Sequence, residues 1–127
     1  MAKHKYLIDS TILIDAFRGQ KKAIAFLSNI DPIVISIVTQ AELIEGARSR
    51  TELEKINRII HTYPVLPITD ASSKRAITLL KTYFLKHGIL FDDALIAATA
   101  LEHNLTLATT EKKHFSPIKG LILYSPY

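Results

Sequence analysis

Short apolar runs alternate with longer helical patterns along the chain, and that alternation limits the fold more than any other feature. Lys5–Ile8 (KYLI), Ile33–Ile35 (IVI), Val65–Leu66 between Pro64 and Pro67, Leu105–Ala108 and Leu121–Tyr124 read as strands. Continuous apolar strands separated by helices call for a parallel sheet covered on both faces. Between them, Thr11–Phe17 reads as a helix stopped near Gly19, and Ala23–Ser28 as one ended by Asn29 and Asp31-Pro32. Thr39-Gln40-Ala41-Glu42 fits a capping box opening a helix that ends near Gly46. Thr51-Glu52-Leu53-Glu54 repeats the pattern and opens a helix to about His61. Asp70 is placed to cap the longest helix, Ala71–Lys86, whose Ala76, Ile77, Leu80, Tyr83 and Phe84 follow helical spacing before Gly88 ends it. Asp93–His103 is apolar on almost every side and is expected to be buried.

A length of 127 residues suits one domain spanning 1–127, and 48% hydrophobic with 22% charged residues is enough for a core without staples. The absence of cysteine excludes a disulfide scaffold, a thiolate zinc site and thiol catalysis. No apolar run approaches the ~20 residues that span a bilayer. Met1-Ala2-Lys3-His4-Lys5 lacks the features of a secretion signal, so a cytoplasmic location is expected. A net charge of +4 permits a nucleic-acid partner without requiring one.

In open parallel sheets, ligands sit beyond the carboxyl ends of the strands, where strand order reverses. The residues just after each strand are therefore the informative ones. The first strand is followed by Asp9-Ser10-Thr11 rather than by glycines, and neither a G-x-G-x-x-G nor a P-loop pattern occurs anywhere. That excludes the usual dinucleotide and nucleoside-triphosphate cradles. Asp9 reads either as the cap of the next helix or, if Ser10 or Thr11 caps, as a free acid at the crevice. Glu42 is either the glutamate of the capping box or a second acid beyond the second strand. Asp92 and Asp93 open the apolar helix, Asp92 better placed to cap and Asp93 to point inward. Thr109, Thr110 and Glu111 follow the fourth strand and equally suit a helix start.

Together, Asp9, Glu42, Asp93 and Glu111 fall on what should be one edge of one sheet. Two carboxylates about 4 Å apart repel by roughly 4 kcal/mol at an effective dielectric of about 20. Several such groups either take up protons or recruit a cation. An all-oxygen donor set without cysteine favours Mg²⁺ or Mn²⁺, and the chemistry natural to such an ion here is phosphodiester hydrolysis. His4, His61, His87, His103 and His114 are scattered, with no H-x-x-x-H pair for zinc. Ser36, Ser72 and Ser73 lack a histidine motif. Arg48, Arg50, Lys112 and Lys113 are the basic residues nearest the expected crevice and the candidates for phosphate contacts.

KYLIDSTILIDAFRG, ISIVTQAELIEGA, FDDALIAATALEHNLTLAT and TTEKKHF stand in that order along nearly the whole chain. They resemble the successive acidic motifs of PIN domains, specifically of VapC-type ribonuclease toxins. The resemblance implies a three-layer α/β/α sandwich around a parallel five-stranded sheet. It implies Mg²⁺- or Mn²⁺-dependent endonucleolytic cleavage of RNA, a homodimer, and inhibition by a cognate VapB-like antitoxin. By position, Asp9, Glu42 and Asp93 match the first three family acids. Asp9 and Asp93 are then expected to hold the metal, and Glu42 to hold it directly or through water. Glu111 stands where the family more often shows Asp or Asn, and is expected to assist only weakly. Asp92 is an extra acid beside the third motif, so either register supplies the ligand. Thr11 and Thr109 fall at supporting positions. The Glu111 departure motivates one alternative, a catalytically silent PIN-like module for RNA binding or dimerisation. A phosphoacceptor domain of the dehalogenase type would want D-x-D where Asp9-Ser10-Thr11 stands. A receiver would want Asp and Lys where Pro67 and Ser125 stand.

Overall fold

A computed structural model describes residues 5–127; residues 1–4, including His4 and the segment read as lacking a secretion signal, lie outside the described part. The elements run β1 (Tyr6–Ile8), α1 (Ser10–Phe17), α2 (Lys21–Ser28), β2 (Ile35–Ser36), α3 (Ile37–Glu45), α4 (Arg50–Ile60), β3 (Val65–Leu66), α5 (Asp70–His87), α6 (Phe91–Glu102), β4 (Thr106–Ala108) and β5 (Leu123–Tyr124). All strand pairings are parallel. They form a β1-β4-β5 ladder and a β2-β3 ladder rather than one continuous five-stranded ladder. A single bridge between Leu7 and Val34 joins the two, with the Ile8 N–H donating to the Val34 carbonyl at 2.9 Å. The chain leaves β1 toward β2 and β3 on one side and returns to β4 on the other, so the reversal lies between β1 and β4.

Successive strand side chains point to opposite faces, and here both faces are dry. Leu7 and Leu107 join a cluster with Ala76, Leu79, Ile89 and the buried face of α6. Their neighbours Ile8 and Ala108 join a second cluster with Ile12, Leu13, Ala23, Leu43, Ile56 and Ile60. Helices α5 and α6 thus cover one face and α1 to α4 the other, the expected three layers. Ala94 to Ala100 are all buried, and the small side chains among them let α5 lie close against α6. Among the described residues no helix is long and apolar enough to cross a membrane.

All six helices begin earlier than their sequence patterns suggest, three of them because another residue is the cap. Ser36, not Thr39, caps α3, its hydroxyl accepting the Thr39 N–H at 3.0 Å. Ser49 rather than Thr51 caps α4. Thr69 rather than Asp70 caps α5, in a capping box with Ser72. In each case the cap is the residue whose backbone is still extended, which the neighbouring Ser, Thr and Asp residues conceal in the sequence. The correction at α3 matters for function. With the helix starting at Ile37, Glu42 stands in its second turn and is not a capping-box glutamate.

Candidate active site

The site forms where β1 and β4 end side by side. The Asp9 N–H still donates to the Ala108 carbonyl at 2.9 Å, and the chain then turns into α1 with Asp9 as N-cap. Asp9 is only 4% exposed. Its Oδ1 accepts the Ser10 N–H at 2.9 Å. Its Oδ2 accepts the Thr109 hydroxyl at 2.7 Å and the Thr11 hydroxyl at 3.2 Å. Capping and crevice-facing are therefore not alternatives, because one oxygen serves each. Burial pushes the Asp9 carboxyl above its ordinary range, the bonds from Thr109, Ser10 and Thr11 pull it back, and the Glu111 charge adds a small upward push.

Thr109 is buried and tied to β5 through its N–H, which donates to the Tyr124 carbonyl at 3.0 Å. Its hydroxyl also accepts the Glu111 N–H at 2.9 Å. The Thr11 hydroxyl accepts the Thr110 N–H at 3.3 Å, so two threonines stitch the end of β1 to the end of β4.

Glu42 reaches this corner from α3. Its Oε1 accepts the Ser10 hydroxyl at 3.1 Å. Partial burial, a hydrogen bond shared with Asp92, and the charges of Asp9 and Asp92 push its carboxyl up to about 7, against the pull of Ser10. Glu42 therefore keeps its proton to a higher pH than a free carboxyl does, with Asp92 beside it.

At the start of α6, the N-cap Leu90 offers no side chain. The Leu90 backbone N–H instead lies toward Asp93 and favours its charged form. Asp92 is exposed, and its Oδ1 accepts the Asp93 N–H at 2.9 Å. Both acids thus serve the helix start, Asp92 by accepting the Asp93 N–H and Asp93 by facing the Leu90 N–H. Asp93 still faces the crevice. Burial and then the Asp92 charge push its carboxyl up, the His114 side chain and the Leu90 N–H oppose them, and the Asp9 charge adds to the rise. His114 Nδ1 lies 3.2 Å from Asp93 Oδ2. Sequence reasoning passed over this histidine as scattered; the signal was its place one residue before the buried Phe115.

Glu111 is half-buried, and its Oε1 accepts the His114 N–H at 3.3 Å. Lys112 and Lys113 are exposed beside it. Arg48 and Arg50 are exposed at the α3–α4 connection, and Arg48 is engaged by Glu52 at 3.3 Å. Among the described residues, no Lys or Arg ion-pairs with Asp9, Glu42, Asp92, Asp93 or Glu111. No three Asp, Glu or His side chains among them close on one point as a ready-made metal cage either. The donor set nonetheless fits a hard divalent ion. It is all oxygen, negative and short of cations, and Mg²⁺ typically keeps several waters and takes only one or two carboxylates directly.

The PIN domain family model matches residues 6–121. Ribonuclease VapC10 of Mycobacterium tuberculosis is 37% identical over 119 residues, covering 91% of this chain and 89% of that protein. Ribonuclease VapC1 of Methanocaldococcus jannaschii is 32% identical over 126 residues, covering 94% and 87%. Among solved structures, a chain of a toxin–antitoxin complex from Klebsiella pneumoniae superposes with a TM-score of 0.82 at 30% identity, covering 97% of this chain and 98% of that one.

Proposed function

Since this chain belongs to the PIN-domain family, we propose that it is a VapC-type endoribonuclease, the toxin of a toxin–antitoxin pair, hydrolysing RNA phosphodiester bonds. The observation that carries this reading is the buried Asp9 at the strand-order reversal, approached by acids from α3 and α6 with no cationic side chain paired to it among the described residues.

Asp9 and Asp93 would hold Mg²⁺ or Mn²⁺, with Glu42 joining directly or through water. The ion supplies positive charge for the phosphoryl oxygens and a more acidic water. The chain's own part is positional. Ser10, Thr11 and Thr109 fix both oxygens of Asp9. Glu42, pushed up to about 7 beside Asp92, keeps a proton to higher pH than a free carboxyl does and would give it up to a bound cation. Lys112 and Lys113, with Arg48 and Arg50 farther off, would meet RNA phosphates. A VapB-like antitoxin is the partner, a homodimer the expected assembly, and the cytoplasm the expected compartment.

A silent binding module draws support from the open spacing of the acids. Cleavage separates the two readings. Purified protein is expected to cut RNA in Mg²⁺ or Mn²⁺, and to lose that activity on chelation and in Asp9→Asn. Equal cutting by wild type and Asp9→Asn would overturn the nuclease assignment.

A further inference from the structure

We infer that His114 is a positioning residue that holds the Asp93 carboxylate in the crevice, and that Glu111 serves to set the turn carrying His114 rather than to act as a fourth acid. The inference rests on the reading of Asp9 and Asp93 as the acids that hold the ion.

The turn is built to place that imidazole. Phe115, 1% exposed, and Ile118 anchor it in the α5–α6 cluster. The Ser116 N–H closes it by donating to the Lys112 carbonyl at 2.8 Å. Glu111 then accepts the His114 N–H from three residues upstream, the relation of a capping side chain to its turn. With Phe115 buried and the His114 amide held, the imidazole is presented to Asp93 Oδ2. Nδ1 stands 3.2 Å from that oxygen, and an imidazolium charge there favours the carboxylate form of Asp93.

The same contacts form a continuous path between the two principal acids. Asp9 Oδ2 accepts the Thr109 hydroxyl, which accepts the Glu111 N–H. The Glu111 carboxylate accepts the His114 N–H, and the His114 ring meets Asp93. Glu111 therefore commits one carboxylate oxygen, Oε1, to the turn. His114 stands against Asp93 Oδ2 and the Leu90 backbone also favours its charged form, so protein groups bear on this carboxylate from two sides. Hydrogen-bond partners of metal-binding carboxylates typically contribute about 10–100-fold in affinity or activity.

The test is a calorimetric Mn²⁺ titration of the full chain as wild type, Asp9→Asn, His114→Ala, His114→Asn and Glu111→Gln, with ring ¹⁵N shifts of His114 recorded in metal-free protein. An asparagine amide sits where the imidazole Nδ1 does, and a glutamine keeps the acceptor for the His114 N–H. His114→Ala is expected to bind Mn²⁺ at least about tenfold more weakly, His114→Asn to recover most of that loss, and Glu111→Gln to bind as wild type does. The ring shifts are expected to report a protonated Nδ1 that Asp93→Asn perturbs. Wild-type affinity in His114→Ala, or a loss in His114→Asn as deep as in His114→Ala, overturns the role of His114. A loss in Glu111→Gln as deep as in Asp9→Asn restores Glu111 as an acid of the site. Failure of wild type itself to bind Mn²⁺ overturns the functional reading beneath.

Discussion

Two corners of the crevice treat their acids in opposite ways. Around Asp9, hydrogen-bond donors from Ser10, Thr11 and Thr109 surround a buried carboxylate. Around Glu42 and Asp92, acid meets acid, and the Glu42 carboxyl is pushed up to about 7. The first corner stands on backbone, at the ends of paired strands, where atoms cannot move far. The second joins side chains from α3 and α6 that are partly open to solvent. The contrast teaches that the fold pins Asp9 with its own donors and leaves the charge balance between Glu42 and Asp92 to whatever binds.

The sharpest way to break this contrast is at Asp9. Asp9→Asn keeps the size of the side chain but removes the charge, and Mn²⁺ affinity and RNA cleavage are both expected to fall by more than ~100-fold, beyond the cost of losing a supporting contact. Next comes Thr109→Val, which keeps shape and deletes a donor to a buried carboxylate. It is expected to destabilise by about 1–3 kcal/mol in denaturant unfolding, while leaving the titration of Glu42 where it is. A change in both corners would show that they are one unit.

Asp92→Asn acts on the second corner and also takes a like charge away from Asp93. The new amide donates to Glu42, so the Glu42 carboxyl is expected to move from about 7 toward its ordinary range, read by ¹³C NMR titration. The smallest effect concerns pH. Glu42 titrates near 7 when folded and near 4.5 when unfolded, so the folded state binds the extra proton between those values. By linkage, stability in chelator is expected to fall as pH rises from about 4.5 to about 7, and the raised Asp9 and Asp93 act in the same direction. Saturating Mn²⁺ should flatten or reverse that slope, as thermal melts across the range would show.

Much of this was legible in the sequence, and the reasons are particular. Leu7 with Ile8, and Leu107 with Ala108, announce a sheet dry on both faces because each adjacent pair must serve both clusters. Asp9 was found because it follows β1, and Asp93 because it opens the most apolar helix. Helix starts were misplaced because Ser36, Ser49 and Thr69 stand among other good caps, and only an extended backbone selects between them. The raised Glu42 carboxyl beside Asp92 was not legible, since it depends on how closely α3 approaches α6. His114 was hidden for a related reason: only the turn anchored by Phe115 carries its ring back to Asp93.

The most direct test is a crystal structure of the protein soaked in Mn²⁺, with anomalous density locating the ion. A peak is expected within coordination distance of the Asp9 and Asp93 carboxylates, and none in Asp9→Asn. Density that avoids both carboxylates, or that persists unchanged when Asp9 is replaced, would contradict the account.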